Sequence, residues 1–179
     1  MNLPNKLTVL RVCMVPVFVA VMLLDGLGDA GKYAAALIFI LASMTDWLDG
    51  YLARKNNLVT DFGKFMDPIA DKLLVCSALI CLVESGALAS WIVIIIIGRE
   101  FIISGFRLVA SDKGVVIAAS YWGKFKTVSQ MIMVILLILD LGGIFYTIAQ
   151  IMTWIAVILT VVSLADYLYK NWKILDGEM

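Results

Sequence analysis

Six stretches of this chain are apolar enough, and long enough, to cross a lipid bilayer, and that recurrence limits the fold more than any other feature. A helix rising about 1.5 Å per residue crosses the hydrocarbon core with about 20 mostly apolar residues. Segments near 7–25, 33–56, 62–84, 89–110, 122–141 and 144–169 meet that need. The composition agrees: 63% of the 179 residues are hydrophobic, 16% are charged, and the mean hydropathy is +0.99. A water-soluble globule of this size cannot hide so much apolar side chain. Turn formers separate the stretches: Asp25-Gly26-Leu27-Gly28, Asn56-Asn57, Ser85-Gly86, Ser111 to Gly114 and Gly142-Gly143. With no repeat, low-complexity tract or linker, the expected architecture is all-α, one membrane domain over residues 1–179 with six transmembrane helices. Lys6 and Arg11 precede an apolar run as in a signal peptide, but Arg11 lies inside the run, so a retained first helix is expected. Cys13, Cys76 and Cys81 sit in apolar runs without metal or redox spacing and read as packing residues.

Fourteen Lys and Arg balance fourteen Asp and Glu, so there is no general basic surface for nucleic acid. Position carries the information instead. Lys6, Arg11, Arg54, Lys55, Lys113, Lys124, Lys126, Lys170 and Lys173 fall on one side of a six-span arrangement, while the other side has Asp25, Asp29, Glu84 and Asp140 with Lys32 as its cation. The positive-inside rule then places both termini in the cytoplasm and the chain, multi-pass, in the cell membrane. The sequence contains no His. Imidazole bases, His-ligated zinc and Ser-His-Asp chemistry are excluded together, leaving carboxylates, Lys, Arg, Tyr or bound metal.

Carboxylates accumulate where lipid should exclude them. Asp46 and Asp49 are three apart on the second span, and Asp67 and Asp71 four apart on the third, so each pair shares a helix face. Measured from a turn near Asn56, Asp49 and Asp67 lie about 10 Å into the helices and Asp46 and Asp71 about 15 Å. The two pairs are level, and four carboxylates can converge. Each costs a few kcal/mol in the membrane, and together they repel. Protonation or bound cations relieve this, and an all-oxygen donor set suits two hard divalent cations, Mg²⁺ or Mn²⁺. Salt bridges to Arg54, Lys64 or Lys72 are the structural alternative, and a cation site in a transporter or channel is the alternative from another functional class. Gly50 and Ala53 permit close approach of a helix or a flat ligand, and Arg54 either grips a phosphate or snorkels.

The pattern Asp46-x₂-Asp49-Gly50-x₂-Ala53-Arg54-x₈-Gly63-x₃-Asp67-x₃-Asp71 resembles the signature of the CDP-alcohol phosphatidyltransferase family, with every fixed position filled. Asn5-Lys-Leu-Thr8-x-x-Arg11 is similar to the family's amphipathic lead-in to the first span. Gly98-Arg99-Glu100-Phe101 with Arg107, and Gly123-Lys124-x-Lys126-Thr127-x-x-Gln130, resemble segments of bacterial members whose acceptor is glycerol 3-phosphate. The resemblance implies displacement of CMP from CDP-diacylglycerol by an alcohol. It assigns one ion to Asp46, Asp49 and Asp67, the second to Asp46, Asp67 and Asp71, and the role of general base to Asp71. It also implies CDP-lipid contacts at Asn5, Thr8, Gly50, Ala53, Arg54 and Thr60, and a homodimer. Acceptor choice rests on a second cluster of cations, Arg99, Arg107, Lys124 and Lys126, with Glu100 a partner for Arg99. So many cations suit an anionic acceptor such as glycerol 3-phosphate better than serine, although serine or inositol phosphate would use the same chemistry.

Overall fold

The computed structural model describes the backbone at residues 2–55, 61–112, 114, 115, 117 and 120–172, and the side chains among these except at 3, 4, 25, 46–55, 61–65, 67 and 68. Among these residues the structure is all-α, with six α-helices: α1 (Leu3–Leu23), α2 (Gly28–Lys55), α3 (Asp61–Glu84), α4 (Ser90–Asp112), α5 (Tyr121–Leu139) and α6 (Gly143–Asn171). Each expected span has its helix, with shifted ends. α1 starts earlier because the Asn2 side chain accepts a hydrogen bond from the Asn5 amide at 3.1 Å, and a proline occupies the first turn, where its missing N–H is not needed. α2 also starts earlier, at Gly28, directly after a 3₁₀ turn over Asp25–Leu27. Between α5 and α6 the backbone enters left-handed space at Asp140 (φ 42°), Gly142 (φ 69°) and Gly143 (φ 52°), so the two glycines break the helix as their sequence implied.

Among the described residues three helices, α1, α5 and α6, are long and apolar enough to cross a membrane. The others have 28, 24 and 23 residues and carry more charge in their sequence: Asp46 and Asp49 in α2, Asp67 and Asp71 in α3, and Arg99, Glu100 and Arg107 in α4.

The described helices group into two compact units. In the first, α1 packs against α2 and α3, and α2 against α3. Its interior joins Phe18 and Phe39, ring centroids 5.9 Å apart, with Val15, Leu74, Leu79 and Leu82 and the small side chains of Ala35, Ala42, Ala70 and Ala78. Lipid tails are as apolar as these residues, so close backbone approach over small side chains, rather than water exclusion, holds such helices together. Lys32 donates to Asp140 at 3.0 Å, and this hydrogen bond raises the Lys32 pKa above its ordinary value.

In the second unit α4 packs on α6. Ala149, Thr153, Ala156, Thr160, Ser163 and Tyr167 recur every three or four residues of α6, and all are buried. They form a stripe of mostly small side chains on one helix face. Polar members of both units satisfy their hydroxyls within their own helix: Thr45 donates to the Ala42 carbonyl, Ser43 to Phe39, Thr153 to Ala149, Thr160 to Ala156 and Ser163 to Thr160. Such back-bonding removes an unsatisfied donor where water is absent. Cys13 is exposed, Cys76 partly buried and Cys81 buried, and none of the three is in a disulfide.

Candidate active site

The four aspartates lie on the two helices of the α2–α3 hairpin. Asp49 is six residues before the end of α2 at Lys55, and Asp67 six residues after the start of α3 at Asp61. Asp46 and Asp71 are nine and ten residues from the same ends. At the helical rise these offsets amount to about 9 Å for the nearer pair and about 14 Å and 15 Å for the farther. Counted along the chain, the two pairs thus have matching offsets from the observed helix ends. The side chains of Asp46, Asp49, Gly50, Ala53, Arg54 and Asp67 lie outside the described residues, as does Thr60 altogether. Asp71 is described and is partly buried on α3.

α1 brings a polar stripe into the same unit. Asn5, Thr8 and Arg11 are spaced three apart and all buried, Arg11 completely. The Arg11 Nε donates to Thr45 Oγ1 at 3.3 Å, tying α1 to the residue of α2 just before Asp46. Thr45 can accept because its own proton is committed to the Ala42 carbonyl at 2.6 Å. The sequence reading placed Arg11 in the lead-in motif but gave it no task. Its position inside an apolar run was the available signal, because a buried guanidinium needs a partner.

The second unit contains the cationic cluster. Arg99 on α4 is buried; its Nη1 donates to Glu100 Oε1 at 2.9 Å and its Nε to Ser163 Oγ on α6 at 3.2 Å. Lys126 on α5, almost wholly buried, donates to the same Glu100 oxygen. One carboxylate oxygen thus joins two cations from two helices, and a serine of a third helix fixes the guanidinium. Gly123 borders this node: a Cβ there would lie 3.2 Å from Arg99 Nη2. The Ser120 hydroxyl accepts from the Gly123 amide at 3.1 Å and so caps the start of α5.

Arg107 and Lys124 are exposed and take no part in the network. The Lys124 ammonium lies 5.3 Å from the centre of the Tyr121 ring. Of the four expected acceptor cations, the structure therefore brings two together. The Arg99–Glu100 pairing was expected, whereas the shared hold on Lys126 and the contact with Ser163 were not visible in sequence, because both depend on side chains from other helices. Asp166 pairs with Lys170 at 2.6 Å one turn along α6. Trp91 and Trp154 lie with ring centroids 6.0 Å apart.

The family model for CDP-alcohol phosphatidyltransferase matches residues 1–162. A Bacillus subtilis protein named CDP-diacylglycerol--glycerol-3-phosphate 3-phosphatidyltransferase is 46% identical over 97% of both chains. Proteins of the same name from Haemophilus influenzae and Rickettsia typhi are 42% and 40% identical, each over 93% of this chain and over 91% and 94% of their own. The signature on the α2–α3 hairpin and a match over most of the sequence lead to one conclusion: the chain belongs to the CDP-alcohol phosphatidyltransferase family.

Proposed function

We infer that the chain transfers the phosphatidyl group of CDP-diacylglycerol to glycerol 3-phosphate, giving phosphatidylglycerophosphate and CMP. The observation that carries this reading is the full set of signature residues on two consecutive helices, the carboxylate pairs at matching offsets from the helix ends, in a chain whose relatives bear the name of that activity. All six helices span the cell membrane as one catalytic domain, both termini are cytoplasmic, and the site opens to the cytoplasm while the acyl chains stay in lipid.

The donor set at Asp46, Asp49, Asp67 and Asp71 consists only of carboxylate oxygens, which fits hard divalent ions. Two such ions, Mg²⁺ or Mn²⁺, when bound there supply charge neutralisation for the diphosphate and the departing CMP. Gly50 and Ala53 let the cytidine approach the α2 backbone, Arg54 and Thr60 hold its phosphates, and Asn5 and Thr8 line the lipid donor's side from α1. Asp71 takes the proton of the acceptor hydroxyl as that oxygen bonds to the phosphatidyl phosphorus and the bond from phosphorus to the CMP oxygen breaks. Arg99 and Lys126, with Arg107 and Lys124 nearer the surface, receive the phosphate of glycerol 3-phosphate. The working unit is a homodimer.

The deciding experiment supplies purified protein with CDP-diacylglycerol, divalent metal and a panel of acceptors, and measures CMP release. Release with glycerol 3-phosphate is expected. Preference for serine or inositol phosphate would overturn the acceptor assignment but leave the transferase standing. Cation flux in proteoliposomes that lack any CDP-lipid would return the reading to a transporter.

A further inference from the structure

We propose that Glu100 is a positioning residue for the acceptor phosphate, and that the donor it positions is Nη2 of Arg99, above the space left by Gly123. This rests on the reading above, in which Arg99 and Lys126 bind the acceptor. The guanidinium has three nitrogens in a rigid plane. Nη1 is taken by Glu100 and Nε by Ser163, at 2.9 and 3.2 Å. Two fixed edges of a planar group fix the third, and Nη2 donates to none of the described residues. At that edge α5 has no side chain: a Cβ on Gly123 would lie 3.2 Å from Nη2, inside the range where one of the two must move. A phosphate oxygen placed at Nη2 therefore enters space that any other residue at position 123 would fill.

Glu100 also sets the charge. Its Oε1 accepts from both Arg99 and Lys126, so the node carries two positive charges and one negative, a net of one. Without the carboxylate, two buried cations would repel each other and spread apart, and the node would lose the geometry that selects a phosphate monoester. With it, both stay on one oxygen, and the Arg99 guanidinium keeps Nη2 turned toward an anion. Glu100 therefore acts through Arg99 and Lys126 and does not touch the substrate.

The test is steady-state kinetics of Glu100→Gln, Gly123→Ala and Ser163→Ala, titrating glycerol 3-phosphate and CDP-diacylglycerol separately and reading CMP. Glu100→Gln is expected to raise KM for glycerol 3-phosphate tenfold or more. KM for CDP-diacylglycerol, and kcat at saturating acceptor, should stay within twofold. Gly123→Ala should raise the acceptor KM several-fold by crowding Nη2, and Ser163→Ala less. Equal effects on both substrates, a fall in kcat alone, or an unchanged acceptor KM in Glu100→Gln and Gly123→Ala would overturn the proposal. If Glu100→Gln does not accumulate folded, Gly123→Ala decides by the same criteria, because alanine favours the helix there. Failure of the underlying reading is visible separately, as wild-type protein that releases CMP with another acceptor and not with glycerol 3-phosphate.

Discussion

Replacing Lys126 by methionine separates what the buried cations do for the fold from what they do for the acceptor. Methionine keeps most of the length of the side chain and removes its charge. Glu100 then keeps Arg99 as partner at 2.9 Å, so no carboxylate is stranded. The fold loses at least the charge-assisted hydrogen bond to Glu100, which costs about 1.5–3 kcal/mol. The acceptor loses more in relative terms. Taking a separation of about 6 Å between the Lys126 ammonium and a phosphate oxygen on Arg99 Nη2, at an effective dielectric constant of about 20 the attraction is about 3 kcal/mol. Allowing for partial solvation, a loss of about 2–3 kcal/mol raises the acceptor KM roughly 30- to 150-fold. The assay is CMP release at saturating CDP-diacylglycerol, with thermal unfolding in detergent alongside. Lys126→Met combined with Glu100→Gln should lower stability further, because the buried Arg99 then loses its carboxylate partner, while the acceptor KM stays high. An acceptor KM within threefold of wild type, in protein that melts normally, would refute the assignment of this node to the acceptor.

Asp67→Asn should abolish CMP release while leaving the protein folded in the membrane, and chelation of divalent metal should silence the wild type until Mg²⁺ or Mn²⁺ is restored; full metal-dependent turnover in Asp67→Asn would contradict the carboxylate centre. Arg11→Ala removes the bond to Thr45 and should cost about 2 kcal/mol in unfolding measurements. Arg11→Lys should recover little of it, because an ammonium does not reproduce the Nε geometry. At the opposite end of α2, Asp140 raises the Lys32 pKa, first through the hydrogen bond between them. A cation whose pKa rises on folding adds stability below its unfolded pKa and loses it as pH climbs through the folded value. The difference in melting between wild type and Asp140→Asn should therefore be present near neutral pH and vanish in strongly alkaline buffer.

Helix positions and the carboxylate spacing were legible in sequence because both depend on local periodicity. Runs of about 20 apolar residues and three- or four-residue offsets need no knowledge of neighbours. The helix ends were less legible, since α1 gains its first turn from a cap at Asn2 that apolar periodicity does not register. The cationic node was half legible. Adjacency in sequence suggested Glu100 for Arg99, but Lys126 is 26 positions from Glu100 and Ser163 is 64 from Arg99, so only the fold joins them. Arg11 and Gly123 were both noticed as motif members, and their tasks emerged only with the side chains facing them.

The hydroxyls that bond back to their own helices have a consequence for substrate selection. A serine or threonine has one proton, and Thr45, Thr153, Thr160 and Ser163 each give theirs to a carbonyl of the preceding turn. What remains on the outward side is a pair of lone pairs. Polarised this way, such residues are one-directional: they receive from guanidinium groups, as Thr45 does from Arg11 and Ser163 from Arg99, and they have nothing to give an anion. At Thr153, Thr160 and Ser163 an approaching phosphate meets oxygen facing oxygen. These hydroxyls therefore act as acceptors toward arginine, and donation to an anion falls to other groups among the described residues, the Arg99 guanidinium and the buried Tyr167 hydroxyl among them.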